Sequence, residues 1–571
     1  MTARKYNLPV QFNLFAFIPD LTGHGQPYLA QRAEQGRFVS SIVGRFHDVP
    51  FLAWDLINEP SPNRNLWRTV PVPDERPAWS AWTLQNLPED RRYKLPTVSE
   101  LAAGAAHTGL EPPHFYDYRC FTQSYFRDWL DRQRKTIHDA GSQQLITVGQ
   151  DEGGVAGRLS PAFFSPDVSF TTTHTWWDFD SILWAGLMAK MPGEPMLVQE
   201  TGEQRRLTMD GQLRLTAEEE SWQLSRKLAV SFAQGAGGIE WVWNVNSMMS
   251  NSQEVTIGAI RPDGTEKPEA RVLGGYAQFT REHAASFTSI DPPAITVVVS
   301  QAELYSSLWD LTVDMQKKAV RALAYYDRQP LRMLPTNRLA DLGKPKLVIL
   351  PGAQALTDAA WQKLLDYVSA GGCLLITGPV DHNQYWEKVD RLTPLNVKAT
   401  IAPIIVRQSN LTLPGSTQPL PISYPSVVQT SPIEFMRFED GNSVKTIHHG
   451  AGKILWAADP VEFGEGYDTV AALYAFAANK AGIPPALKEN APLSHGVLAF
   501  PTMLKDAVLY SFSNESLDDQ PVDIEDAVNS ARLHFTLPAQ RGALVLLNRK
   551  TGKVLAAYGT NGATEPRAAI Q

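Results

Sequence analysis

Two apolar runs in this chain end in glutamates. Residues 51–57 lead into Asn58-Glu59-Pro60, and residues 195–198 lead into Gln199-Glu200-Thr201-Gly202. Apolar runs of this length, bounded by turn formers, read as buried parallel strands. In α/β barrels and open α/β sheets, ligands bind at the carboxyl ends of such strands. Two carboxyl groups facing each other across a strand-end mouth suit glycoside hydrolysis. One protonates the leaving oxygen and then activates water, while the other attacks as nucleophile. Glu59 and Glu200 are the natural pair. The acid needs a raised pKa, which a neighbouring carboxylate and partial burial would both supply.

Other polar groups close other strand-like runs. Residues 144–148 end in Gly149-Gln150-Asp151-Glu152, and residues 168–173 end in His174-Thr175-Trp176-Trp177. Asp151 and Glu152 are flanked by glycines, so substrate binding or a structural role suits them better than direct catalysis. His174 divides evenly between a sugar contact and a core histidine. Trp176 and Trp177 cannot both face the site in an extended strand, so at most one is a stacking platform. Asp55 shares the strand face of Glu59 and either tunes it or makes a structural hydrogen bond. Glu240, between apolar neighbours on the last strand, reads as a structural salt-bridge partner.

These residues need a scaffold that presents strand ends on one side. Strands at 9–17, 51–57, 144–148, 168–173, 195–199 and 237–243 alternate with helical patterns, the signature of a (β/α) barrel. Thr216 is placed to N-cap the helix from 217 to 234, with Glu218, Glu219 and Glu220 in its first turn. A closed barrel needs eight strands, and six are countable. The expectation is a TIM barrel lacking its first two strands; the rival is a barrel whose first strands are irregular or absent. Residues 60–113 interrupt the rhythm with many prolines and with Trp67, Trp79 and Trp82, and predict a lid or cleft wall.

After residue 290 the pattern restarts. Strands at 294–299, 347–350 and 373–378 alternate with helices at 313–326 and 358–370, as in a small doubly wound α/β domain. From about 485, short strands alternate with turns, as in an antiparallel sandwich. The expected domains are therefore 1–290, a catalytic (β/α) barrel; 291–484, an α/β domain; and 485–571, a small β-sandwich whose tail after Tyr558 is small and polar.

The totals exclude some function classes. Net charge is −8, from 52 basic and 60 acidic residues, so neither nucleic acid nor an anionic membrane is expected as a partner. No apolar run approaches the ~18–20 residues of a membrane span. No signal-peptide core follows Met1, because residues 8–19 are interrupted by Gln11 and Asn13. The chain's localisation is open. Cys120 and Cys373 lack metal-ligand spacing, so no zinc site or disulfide framework is expected. Fifteen Trp and 17 Tyr are enough to line a sugar cleft, although most must be core and interface residues.

Asn58-Glu59-Pro60 at a strand end resembles the acid/base signature of glycoside hydrolase clan A. There the acid/base follows an asparagine on the fourth strand, and the nucleophile is a glutamate on the seventh. Glu200 ends the third strand after the Asn-Glu-Pro one, as that order requires. His174 resembles the clan's active-site histidine on the sixth strand. Trp243 or Trp241 resembles the tryptophan that floors the sugar site on the eighth. The run Leu347-Val348-Ile349-Leu350-Pro351, followed by Tyr367-Val368-Ser369-Ala370-Gly371-Gly372, resembles the glutamine-amidotransferase-like (flavodoxin-type) domain of family-42 β-galactosidases, which mediates trimerisation there. Asn-Glu-Pro itself is closer to the cellulase-like family 5, and the four-cysteine zinc cluster of many family-42 enzymes is absent. The resemblance implies a retaining, β-galactosidase-like exo-glycosidase acting on an oligo- or polysaccharide. It implies Glu59 as acid/base, Glu200 as nucleophile, and Asn58, His174 and Trp243 as substrate-binding; Asp151, Glu152 and Trp176 join them as substrate-binding candidates on their strand-end positions. It also implies no metal or organic cofactor and a possible homotrimer. A β-mannosidase or β-glucanase is the alternative activity. A non-catalytic carbohydrate-binding or scaffold protein is the alternative class.

Overall fold

The computed structural model describes residues 8–15, 32–50, 52–60, 75–97, 113–151, 159–175, 179–202, 208–210, 214–246 and 257–560, with Lys5, Gln212 and Met248 as isolated positions. Its first part is a run of parallel strands: β1 (Val10–Asn13), β2 (Leu52–Asn58), β3 (Leu145–Gly149), β4 (Thr171–Thr175), β5 (Met196–Thr201) and β6 (Gly237–Glu240). They pair in chain order, β1-β2-β3 and β4-β5-β6. Between β3 and β4, the Ser169 N–H donates to the Ile146 carbonyl at 2.7 Å and the His174 N–H to that of Gln150 at 2.9 Å. The Thr172 hydroxyl donates to the Val148 carbonyl at 2.6 Å. The two sheets thus form one arc. Among the described residues no pairing joins β6 to β1.

Side chains alternate across β2. Trp54 and Leu56 face outward into a core with Val39, Val43, Phe126, Trp129, Leu130, Ile146 and Val148. Each such buried side chain contributes roughly 1.5–3 kcal/mol. That core comes from α1 (Arg32–Phe46) and α3 (Pro113–Asp139), which cover the outside of the arc. The opposite parity turns Asp55 to the interior. The expectation of a tryptophan-lined lid is corrected for two of its three rings. Trp79, on α2 (Glu75–Asn86), is buried, and Trp82 stacks on it with centroids 5.6 Å apart. Their indoles donate to the Tyr93 carbonyl and the Ser124 hydroxyl. They fill the core against α3 rather than lining a cleft. Trp67 lies outside the described residues.

Helix α4 (Phe179–Ala189), which the periodicity did not reveal, follows β4. Ile182, Leu183, Trp184, Ala185, Leu187 and Met188 are all buried. Its described side chains, 182–189, are apolar on all sides because they lie between the arc and the sheet that follows, so they show no polar face. Helix α5 (Ala217–Ala233) opens as expected: the Glu219 N–H bonds to Thr216 Oγ1 at 3.3 Å, and Glu219 Oε2 accepts from the Thr216 N–H at 2.7 Å. Helix α6 is Pro268–His283.

The middle sheet contains β7 (Ile295–Val299), β8 (Leu331–Pro335), β9 (Leu347–Leu350), β10 (Cys373–Thr377) and the hairpin β11 (Val444–His449) and β12 (Gly452–Ala457). Its order is β11-β12-β10-β9-β7-β8, parallel except for the hairpin. The sequence reading missed β8, an edge strand. Its Arg332 lies along the sheet, donating to Thr296 Oγ1 at 2.9 Å, and so breaks the apolar run. Cys373 is buried in β10. Helix α7 (Trp309–Arg321) packs on α4, where Trp184 Nε1 donates to Gln316 Oε1 at 3.0 Å.

Antiparallel strands β13 (Leu487–Glu489), β14 (Val497–Met503), β15 (Ala507–Asn514), β16 (Gln520–Asp526), β17 (Arg532–Leu537), β18 (Gly542–Asn548) and β19 (Val554–Tyr558) make two sheets, β13-β16-β17 and β14-β15-β18-β19. This unit folds back onto the first. Leu509, Leu544 and Leu546 pack with Leu224, Leu228 and Phe232 of α5. No described helix is long and apolar enough to cross a membrane.

Candidate active site

At the carboxyl end of the arc, β2 ends at Asn58 and the chain turns at Glu59. Glu59 has a φ of 47°, in the left-handed region that side chains rarely adopt. Its N–H donates to the Gly149 carbonyl at 2.7 Å, which fixes that turn against the end of β3. Asn58 is half-buried, and its N–H reaches the Phe15 carbonyl at 3.3 Å.

His174 on β4 is fully buried, and its Nδ1 is the hub of the site. It lies 2.9 Å from Glu59 Oε1 and 3.5 Å from Glu200 Oε2. Burial disfavours the imidazolium. The Glu59 hydrogen bond and the charges of Glu200, Glu59 and Asp55 outweigh it, so the pKa lies above the ordinary histidine value. The side chains of Glu59 and Glu200 keep 19% and 15% of their surface exposed, enough to meet a ligand. Asp151, just past β3, is buried, and it brings a carboxylate oxygen within 4.8 Å of ligating atoms of Glu59 and His174.

The structure therefore gathers Glu59, Glu200, His174 and Asp151. Glu152 and Trp176 lie outside the described residues. Trp243, three residues past β6, is 63% exposed, and its carbonyl accepts the N–H groups of Ala259 and Ile260. Trp241 follows β6 directly, is half-buried, and donates its N–H to the Thr201 carbonyl at 2.8 Å.

Beneath the carboxylates lies a buried layer that sequence reasoning mostly missed. Asp55 accepts from Asn13 Nδ2 at 2.7 Å, Gln199 Nε2 at 2.5 Å, the Gly149 N–H at 2.8 Å and the Ile57 N–H at 3.3 Å. Burial raises the Asp55 carboxyl above its ordinary value, and the donors from Asn13, Gln199 and Gly149 offset only part of that rise. Gln199 and Asn13 carried one sequence signal, namely polar residues inside otherwise apolar strands. The Thr175 and Thr201 hydroxyls bond to each other at 3.2 Å, linking the ends of β4 and β5.

Two clusters of described residues have cation-ligand spacing. In one, Glu59, Asp151 and His174, the imidazole nitrogen facing Glu59 hydrogen-bonds to that carboxylate. In the other, Asp381, His382 and Glu434, the Lys388 ammonium already bridges both acids, at 2.5 and 2.7 Å.

No family model matches the chain, and no curated protein matches it by sequence. Solved structures do. A β-galactosidase from Bacillus circulans sp. alkalophilus superposes with a TM-score of 0.67 at 14% identity, covering 90% of this chain and 82% of that one. A GH42 β-galactosidase from G. stearothermophilus gives 0.66 at 12%, covering 96% and 86%. An exo-carrageenase of GH42 from Bacteroides ovatus gives 0.55 at 13%, covering 90% and 70%. These neighbours are glycoside hydrolases with an α/β barrel. The chain shares its fold with GH42 β-galactosidases of clan A along most of its length.

Proposed function

We propose that this protein is a retaining β-glycosidase. Glu59 would be the acid/base, Glu200 the nucleophile, and His174 the residue that orients both. The observation that carries this reading is the convergence of two strand-end carboxylates on one imidazole nitrogen. The two oxygens on Nδ1 can stand no further apart than the sum of their distances to it. Such sharing of one nitrogen keeps the two carboxylates close, as the ~5–5.5 Å separation of a retaining pair requires. In the first step Glu59 gives its proton to the glycosidic oxygen while Glu200 attacks the anomeric carbon. In the second, Glu59 takes a proton from water, which displaces Glu200 from the sugar. Asp151, Asn58 and Trp243 or Trp241 are proposed sugar contacts.

Exo-action on a terminal β-galactoside ranks first, because the neighbours with the higher superposition scores are β-galactosidases. A β-mannoside ranks second, on the match to an exo-β-1,4-mannosidase from an Opitutaceae bacterium. The test is hydrolysis of aryl β-galactosides, β-mannosides and β-glucosides, with the first-formed anomer read by proton NMR. Release of the β-anomer is expected. A first-formed α-anomer would overturn the retaining assignment, and inertness toward every substrate would favour a non-catalytic carbohydrate-binding protein.

A further inference from the structure

Two strands, β5 and β2, slip in register next to the carboxylates, β5 against both of its neighbours. Along β4 and β5, Thr173 lies opposite Val198 and His174 opposite Glu200, so Gln199 is an extra residue. Along β2 and β3, Asp55 lies opposite Thr147 and Asn58 opposite Gly149, so Leu56 and Ile57 together face Val148. Each slip is a β-bulge, a device that bends a strand and re-aims the side chains beyond it. The first lets sequence neighbours both turn inward, Gln199 to Asp55 and Glu200 to His174. The second resets the parity of β2 just before Glu59.

Both bulges end on one carboxylate. Asp55 Oδ1 accepts the Ile57 and Gly149 N–H groups, across the β2 bulge. Its Oδ2 accepts the amide of Gln199, the extra residue of β5, and that of Asn13 on β1. All four partners are donors, so the ionised form suits the site and a protonated oxygen would oppose one of them. Gly149 leaves the necessary room: a Cβ there would stand 3.0 Å from Asp55 Oδ2 and 3.1 Å from Gln199 Oε1.

We propose that Asp55 is a positioning residue for both Glu59 and Glu200, because it pins the two bulges that aim them and thereby sets their separation. The inference rests on those glutamates being the catalytic pair. The double exchange Asp55→Asn with Gln199→Glu reverses the polarity of the central bond while keeping its length. The Asn13 amide, whose Oδ1 has no hydrogen-bond partner among the described residues, turns that oxygen to the new N–H, so the exchange separates positioning from mere bulk.

The test uses the full chain, an aryl β-galactoside as substrate, and an activated 2-deoxy-2-fluoro-β-galactoside to count active sites. Per titrated site, Asp55→Ala is expected to lower kcat about 100-fold, as a misplacement of about 1 Å does. KM should change only a few-fold, and formation and breakdown of the glycosyl-enzyme should slow together. The double exchange is expected to recover at least a tenth of the lost rate. Unchanged kcat per site in Asp55→Ala, or no recovery in the double exchange, would overturn the proposal. If instead the wild type cleaves no aryl β-glycoside, or Glu200→Ala is as active as the wild type, the proposed function fails. Hydrogen exchange then decides the role of Asp55 alone. Peptides spanning Ile57 and Gly149 should exchange at least tenfold faster in Asp55→Ala while β7 and β9 keep wild-type rates; equal exchange would sink the idea.

Discussion

Glu59 and Glu200 meet at one imidazole nitrogen: His174 Nδ1 hydrogen-bonds to an oxygen of the first at 2.9 Å and lies 3.5 Å from an oxygen of the second. A single N–H bonds best to whichever carboxylate is ionised. The buried imidazole therefore couples the charge states of the two glutamates.

Replacing His174 with Gln removes the imidazole that bonds to the charged carboxylate. A hydrogen bond to a charged group is worth about 1.5–3 kcal/mol, so kcat should fall about 10- to 100-fold. The same variant tests linkage. The folded pKa of His174 lies above the ordinary 6.5, so its stabilisation is complete below about pH 6.5 and is lost as pH rises through the folded value. Thermal melts should show the wild-type advantage over His174→Gln at its largest near pH 5 and shrinking at alkaline pH. An advantage that grew with pH would contradict this.

The roles of the two glutamates separate through an added nucleophile. With Glu59→Ala, substrates that need protonation should slow by ~10²–10⁴-fold, while aryl glycosides with good leaving groups slow far less. Azide should then give a β-glycosyl azide. With Glu200→Ala, turnover should cease, and azide should yield the α-product from an activated β-glycoside. NMR of the azide products checks both assignments, and reversed anomers would exchange the roles.

Asp117 lies in the seam between α3 and the segment that follows β10. Burial raises its carboxyl to about 7, against the Tyr385 hydroxyl that donates to it at 3.1 Å and the charge of Arg91. A carboxyl whose folded pKa is raised stabilises the fold below its unfolded value, near 4, and loses that contribution as pH rises through about 7. Asp117→Asn keeps an acceptor for Tyr385 and cannot ionise. Its melting temperature should therefore equal or exceed that of the wild type at pH 8 and show no relative gain at pH 4.

Gly542 is where the C-terminal sheets meet α5. A Cβ there would stand 2.4 Å from the Ser225 carbonyl oxygen and 2.7 Å from Ala229 Cβ, both fixed by a helix. Gly542→Ala should cost about 1–3 kcal/mol by overpacking. Denaturant melts and limited proteolysis between 485 and 560 would register it, and a variant as stable as the wild type would show that the two units separate freely.

The sequence by itself determined which residues end the buried strands. Strand-like runs closed by Asn58-Glu59, Asp151, His174 and Glu200 were legible because short runs rich in apolar and β-branched residues stop at a charged or imidazole group. The Thr216 cap was legible because it is local, made within one helical turn. The tertiary structure alone decided the rest. Helix α4 shows no amphipathic stripe, since the arc and α7 bury it from both sides, and Trp79 and Trp82 went to a core rather than a lid because α3 lay beside them. Whether Gln199 and Glu200 both face inward depends on a one-residue slip against β4, and such a slip reverses every side chain beyond it. That register is held by Asp55, Asn13 and Gly149, residues far from Gln199 in the chain, and no local spacing encodes which of them will meet.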